Sequence, residues 1–336
     1  MNEPHLEPHL APDVTFVIAA YNAAETLQRA VDSALAQEGV AVEVVIVDDC
    51  SVDATVAIAS GYADPRVRLI RQAQNGGPGA ARNAGIAAAK GQWIAVLDSD
   101  DTVRPGRLRA MLSRARAAGA DIVVDNLDVV GMNGGSPQRM FAEKQLEQVG
   151  QLTLARFIQS NIMFRSTFNY GYMKPIFARA FLAAHELRFD ESLKIGEDYM
   201  LLAAALACGA ICAIEPEAGY VYHIREGSIS RVLELHHLDA MLAADETFVR
   251  QYPLSGEAAE AQRLRTRSLH EARSFLTLVD ELKNRSIGSA LMTAARNPRA
   301  IRHLRMPIAA RMRRLMERAG GHPHQRGNHL QKGRRS

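Results

Sequence analysis

The stretch WIAVLDSDD, residues 93–101, is an apolar run from Trp93 to Leu97 that ends in Asp98, Asp100 and Asp101, with only Ser99 between them. A short uninterrupted apolar run marks a strand covered on both faces, as in a parallel sheet. Two similar runs lie upstream, VTFVIA at 14–19 and VEVVIV at 42–47. Between them, within 24–37, Leu27, Val31 and Leu35 recur at four-residue steps and Gly39 follows, the pattern of an amphipathic helix with a glycine stop. Helical segments at 53–63 and 78–90 enclose another strand at 67–70. Strands alternating with helices predict a doubly wound α/β fold, a mostly parallel sheet flanked by helices.

Downstream, Pro105 opens a helix that runs to about Ala118, with Leu108, Met111, Leu112 and Ala115 on one side. Strand-like residues follow at 121–130, then a glycine-rich turn at 131–135. The segment 137–190 is less regular, and its aromatics Phe164, Phe168, Tyr170 and Tyr172 are expected to line or cover something. A helix is predicted at 198–207, two short strands at 211–214 and 219–224, and a helical pattern throughout 233–282. The domain reading is a leader at 1–12 without fixed structure, an α/β domain at 13–231, a helical region at 232–318 and a basic disordered tail at 319–336.

Composition excludes several classes. With 47% hydrophobic and 23% charged residues the chain has the make-up of a soluble globular protein, and no apolar stretch approaches the roughly 20 residues of a membrane span. The N-terminus has neither the basic nor the apolar region of a secretory signal. Three cysteines, Cys50, Cys208 and Cys212, make no disulfide framework, which fits a reducing cytoplasmic setting. From Lys283 to Ser336 there are 14 Lys/Arg and a single acid, Glu317, so an acidic body carries a basic tail suited to an anionic partner.

Five constellations carry chemistry. Asp98 and Asp100, as residues i and i+2 after a strand, are expected to face one hard cation such as Mg²⁺ or Mn²⁺, at the strand ends where open α/β sheets bind ligands. The alternative is an acidic turn beside the start of the helix near Pro105. Asp48-Asp49-Cys50-Ser51 follows another strand, and a carboxylate there can accept from a base or ribose, or cap the next helix. The run from Gly76 to Gly85 resembles a phosphate loop without its lysine and hydroxyl. Its Arg82 can face an anion, while the glycines also read as a plain turn that allows close packing. Asp198, in Gly196-Glu197-Asp198-Tyr199, is either a general base or a helix cap. His223 and Arg225, with Ser228 and Ser230 nearby, are candidate diphosphate contacts.

The order VIAAYNAAETL (17–27), VIVDDCSVDAT (45–55), NGGPGAARNAG (75–85), WIAVLDSDD (93–101) and GEDYML (196–201) resembles family 2 glycosyltransferases of the GT-A fold, over about residues 14–231. Ala20 departs from the proline often found before the Tyr-Asn pair, and His223 stands where arginine is frequent. The resemblance implies a nucleotide-sugar donor, with Tyr21 and Asp49 beside the base and Arg82 lining its pocket. It implies that Asp98 and Asp100 hold ribose and a divalent metal, with Asp101 beside them, and that Asp198 is the general base of a single inverting displacement.

The run from GYMKPIF through GEDYMLLAAALACGA to GYVYHIREGSIS is similar to bacterial exopolysaccharide glucosyltransferases of the succinoglycan type. That implies UDP-glucose as donor and a lipid-diphosphate-linked oligosaccharide as acceptor. Ile301, Leu304, Ile308, Met312 and Leu315 share a helix face, with Arg302, Arg313, Arg314 and Arg318 off it. Such a helix can lie on the anionic cytoplasmic face of the inner membrane, or pack on the domain with its basic side in water. Nucleic acid is not expected as a partner, since the tail lacks interleaved aromatics. Rival readings are a nucleotidyltransferase and a non-catalytic glycan-binding scaffold on the same fold.

Overall fold

β1 (Val14–Ala20) is buried along almost its whole length, since its β-branched and aromatic side chains are covered on both faces. α1 (Leu27–Leu35) buries Leu27, Ala30, Val31 and Ala34, the i, i+3, i+4, i+7 set that turns one face of a helix to a core. β2 (Val42–Asp48), α2 (Thr55–Ser60), β3 (Val67–Arg71), α3 (Gly77–Ala88) and β4 (Trp93–Val96) complete the first half. β1 pairs in parallel with both β2 and β4, and β2 with β3. α3 lies so close on β1 that a Cβ on Gly85 would stand 2.4 Å from Val17 Cγ1. That glycine of the NGGPGAARNAG run therefore serves packing.

The second half comprises β5 (Thr102–Val103), α4 (Arg107–Ala118), β6 (Ile122–Val130), β7 (Gln138–Arg139), α5 (Glu143–Val149), α6 (Leu154–Ser160), a 3-10 turn at Tyr170–Tyr172, β8 (Pro175–Ala178), α7 (Arg179–Ala184), α8 (Glu197–Ala207) and β9 (Cys212–His223). The sheet order is β3-β2-β1-β4-β8-β6-β9-β5, with β7 on β6. β8 runs antiparallel to both its neighbours, β4 and β6, whereas β6 and β9 are parallel. The expected α/β fold with its mostly parallel, helix-flanked sheet is what forms, with one reversal of polarity in the middle.

This computed structural model describes residues 11–132, 135–165, 169–225 and 233–304. Residues 1–10 of the expected leader at 1–12, Phe168, Ser228, Ser230 and the tail beyond Leu304, including most of the amphipathic segment 301–315, lie outside them.

Three local expectations are corrected. The two short strands at 211–214 and 219–224 are one strand, β9. Its register against β6 shifts around Pro216, which has no N–H for a ladder, and Asn126 Nδ2 bonds the Pro216 carbonyl at 3.0 Å there. The helical stretch 233–282 is two helices, α9 (Leu235–Gln251) and α10 (Gly256–Lys283), with Pro253 in the link. Asp98 to Asp101 are not a strand end with alternating sides: β4 stops at Val96, and Asp101 N–H closes a turn on the Asp98 carbonyl at 3.1 Å.

The chain divides into two compact units, residues 1–270 and 271–336. The first holds the whole sheet, α9 and the first half of α10. In the second, α11 (Ile287–Arg296) and α12 (Pro298–Ile301) follow the end of α10. There Phe275, Leu278, Ala290 and Ala300 are buried, and Glu271 meets Arg302 at 2.7 Å and Arg299 at 3.8 Å.

Candidate active site

The carboxyl ends of β1, β2 and β4 adjoin, because these three strands are parallel neighbours in register. Asp49 N–H bonds the Ala20 carbonyl at 2.9 Å, so Tyr21 and Asp49 stand side by side. Tyr21 is 53% exposed, free to receive a planar group on its ring. Asp49 is buried, and its two oxygens accept from Gly76 N–H and Gly77 N–H, both at 2.8 Å. The amides of the glycine loop are thus directed to Asp49, which anchors the start of α3.

One turn into α3, Arg82 is nearly buried and faces three carboxylates. Its Nη2 lies 2.7 Å from Asp98 Oδ1, and its Nη1 lies 2.6 Å from Glu197 Oε1 and 3.1 Å from Asp198 Oδ1. A second cation completes the ring: Lys174 Nζ lies 2.8 Å from Asp98 Oδ2 and 3.0 Å from Asp198 Oδ2. Lys174 reaches this edge because β8 is antiparallel, so the residue before its first position stands beside the end of β4.

Burial would raise the Asp98 carboxyl, but Lys174 and Arg82 outweigh it and hold Asp98 well below the usual carboxylate range. Burial would likewise make Lys174 and Arg82 easier to deprotonate; the facing carboxylates overcome it and keep both firmly charged. Glu197 is pushed up by burial and by Asp198, and Arg82 offsets this only in part.

Glu197 and Asp198 open α8 behind Gly196, which sits at φ 93° as the cap residue, and no side chain caps the helix. The capping alternative for Asp198 therefore does not describe its contacts, which go to Lys174 and Arg82. Its side chain is 28% exposed against 9% for Glu197, so of the two acids Asp198 is the one within reach of an incoming molecule.

In the turn after β4 the three acids have different surroundings. Asp101 is fully buried; Tyr220 donates to its Oδ2 and His223 N–H to its Oδ1, each at 2.8 Å. Burial, with Asp98 and Asp100 nearby, pushes its carboxyl well up. Asp100 is half-buried and is raised by burial and by Asp98. Among the described residues no other residue donates to its carboxylate, while Arg29 Nη2 bonds its backbone carbonyl at 2.7 Å. No three metal-binding side chains are grouped to hold an ion by themselves among the described residues. An ion here would need oxygens from a bound ligand.

His223 Nε2 lies 3.1 Å from Thr102 Oγ1, and burial with Arg29 nearby lowers its basicity. Arg225 Nη2 pairs with Glu25 at 2.8 Å, next to the start of α1. The three cysteines are free thiols, and burial pushes Cys212 up to about 12.

The structure therefore brings Arg82, Asp98 and Asp198 into direct contact and sets Tyr21 and Asp49 at the adjoining strand ends. Sequence reasoning missed Lys174 and the pairing of Glu197 with Arg82. The lysine stood in the GYMKPIF run, directly before a buried apolar strand, and that position was the available signal.

The model of the family described as Glycosyl transferase family 2 matches residues 15–181. Succinoglycan biosynthesis protein ExoO of Rhizobium meliloti (strain 1021) is 64% identical over 318 residues, 95% of this chain and 90% of that protein. ExoU of the same organism, also named a succinoglycan biosynthesis protein, is 36% identical over 86% of this chain and 84% of its own. The crystal structure of S. aureus TarS 1–349 in complex with UDP-GlcNAc aligns with a TM-score of 0.60 at 23% identity, covering 76% of this chain and 71% of that one.

Proposed function

This chain belongs to glycosyl transferase family 2 and is a glycosyltransferase of the GT-A fold, and from that premise we propose that it transfers glucose from UDP-glucose to a lipid-diphosphate-linked oligosaccharide during assembly of an exopolysaccharide repeat unit. The carrying observation is the convergence of Asp98 and Asp198, one hundred positions apart in sequence, on the same two cations, Arg82 and Lys174. The names of ExoO and ExoU support the exopolysaccharide role, and the UDP-GlcNAc held by TarS supports a UDP-linked donor.

In this reading the base of the nucleotide lies against Tyr21 beside Asp49, and the ribose and diphosphate run toward Asp98 and Asp100. His223, at the end of β9, and Arg225, two residues on, approach the diphosphate. Asp198 takes the proton of an acceptor hydroxyl. The acceptor oxygen then bonds the anomeric carbon as its bond to the diphosphate breaks, and the nucleoside diphosphate departs. No covalent intermediate is required.

A divalent metal would be held by Asp100, to whose carboxylate no other described residue donates, beside Asp98 and with oxygens of the bound diphosphate. Bound there, Mg²⁺ or Mn²⁺ would neutralise charge on the departing diphosphate. Asp101, which accepts from Tyr220 and from His223 N–H, lies beside Asp98 and Asp100 and holds the turn to β9.

Peripheral contact with an anionic membrane is also proposed, near the acceptor's lipid anchor. No described helix is long and apolar enough to span a bilayer. In the second unit Ile287, Leu291 and Met292 of α11 are 58%, 67% and 54% exposed, and the sequence from Asn284 to Met316 contains Arg residues and no acid. The decisive assay offers a panel of nucleotide-sugars with a lipid-linked acceptor extract and reads released diphosphate with and without Mn²⁺. Release of pyrophosphate would favour nucleotidyl transfer, and no release from any donor would favour a scaffold.

A further inference from the structure

Beside Asp198 lies a second buried charged group that the transfer chemistry does not use. Asp245 on α9 and Arg265 on α10 are both buried, and Arg265 Nη1 donates to Asp245 Oδ1. Gln262 Nε2 donates to the other oxygen of Asp245 at 2.8 Å. The guanidinium carbon of Arg265 lies 3.8 Å from the ring centroid of Tyr199, which also stacks on Phe157 of α6 at 5.1 Å.

Tyr199 directly follows Asp198 in the first turn of α8, a turn that no side chain caps. That turn is held on one side by Arg82 and Lys174, through the carboxylates, and on the other by Arg265, through the Tyr199 ring. A buried ion pair contributes little stability over apolar residues of the same shape. Here Arg265 Nε, Gln262 Oε1 and the Tyr199 hydroxyl also lack partners among the described residues. Stability alone is a poor reason for such a cluster; fixing one geometry is a better one.

We propose that Arg265, held by Asp245, is a positioning residue that fixes the first turn of α8 through Tyr199 and thereby sets where the Asp198 carboxylate stands. This rests on the reading of Asp198 as the general base. Through this contact α9 and α10, which lie beyond residue 181 where the family match ends, support the first turn of α8. A displacement of about 1 Å at a reacting group is enough to cost on the order of 10²-fold in rate.

The test uses full-length protein and initial rates. Arg265→Met alone strands a buried carboxylate, so the main variant is Asp245→Leu/Arg265→Met, which removes both charges; Arg265→Lys is the conservative control. The double variant should keep its melting temperature and its KM for the donor, and lose about 10-fold or more in kcat, with Arg265→Lys recovering part of it. Should the double variant not fold, Tyr199→Leu should show the same fall in kcat at unchanged KM. In an Asp198→Asn background either change should cause no further loss. Parental kcat in the folded variants, or an equal further loss without the base, would overturn the inference. Undiminished turnover by Asp198→Asn itself would instead overturn the assignment of the base, so the two failures are distinguishable.

Discussion

Lys174 donates to Asp198 at 3.0 Å from the foot of the one strand, β8, that runs antiparallel to both its neighbours in the sheet. The same ammonium lies 2.8 Å from Asp98. A single cation thus spans the proposed donor side and the proposed acceptor side of the site, and its removal leaves Asp98, Glu197 and Asp198 all facing Arg82. Lys174→Met should therefore lower kcat/KM by about 10²-fold and destabilise the fold by up to ~3–5 kcal/mol, the typical cost of breaking a buried pair. Lys174→Arg should retain most of the stability. Chemical denaturation beside a transfer assay reads both, and a Met variant of parental stability and activity would remove Lys174 from the site.

Asp198→Asn keeps the shape of the side chain and one of its two acceptor oxygens but cannot take a proton. Transfer should fall by about 10²–10⁴-fold while calorimetric binding of the UDP-sugar stays near parental. Weakened donor binding of the same size would mean that Asp198 serves the donor.

Asp100 is the acid of the turn with a carboxylate open to a cation. Asp100→Ala should abolish the Mn²⁺-dependent part of UDP affinity and leave the metal-independent part. Titration of UDP with and without Mn²⁺ separates the two, and an undiminished Mn²⁺ effect would contradict the metal assignment.

Much of the first half was legible because its signals are local. Each strand is a dense β-branched run, each helix has its apolar period, and both Asp49 and Asp98 follow directly on such runs. The second half was less so. β8 is only four residues long, and nothing in PIFA reveals its direction, which depends on its neighbours β4 and β6. Pro216 made β9 look like two strands, although the bulge and the Asn126 side chain accommodate it. The turn at Asp98–Asp101 defeated the alternation argument, since side-chain parity holds only while the backbone stays extended. Asp98 was still placed at the site, for its position after β4 and not for its parity with Asp100.

Asp128, on β6, accepts from Arg139 Nε at 2.8 Å and pairs with Arg104. Burial would raise its carboxyl, yet the two guanidinium groups hold it below the usual Asp range. A folded value below the unfolded one contributes stability above the unfolded value of about 4, lost as pH falls through the folded value. Both arginines are substantially exposed, so the contribution is under ~1 kcal/mol. Asp128→Asn should melt slightly below the parent at pH 7, with the gap closing toward pH 3; a gap that persists in acid would point to packing.

If α11 meets anionic lipid, Ile287→Ser/Leu291→Ser should sharply reduce co-sedimentation of the full chain with vesicles rich in phosphatidylglycerol. Transfer to a soluble acceptor analogue should not change. Equal sedimentation of variant and parent would leave attraction by the basic residues alone as the source of any binding.

The inverted strand also has a consequence for the order in which the chain folds. β1 to β4 are complete by residue 96, yet Lys174, Glu197 and Asp198 come roughly a hundred residues later. A chain that has laid down only its first four strands already has Arg82 to pair with Asp98, but it lacks Lys174 and the sheet border beside β4 is open. Insertion of β8 between β4 and β6 closes that border and delivers the lysine in one event. The proposed donor residues thus lie in the early half, and the proposed base, Asp198, joins them only when the late half docks.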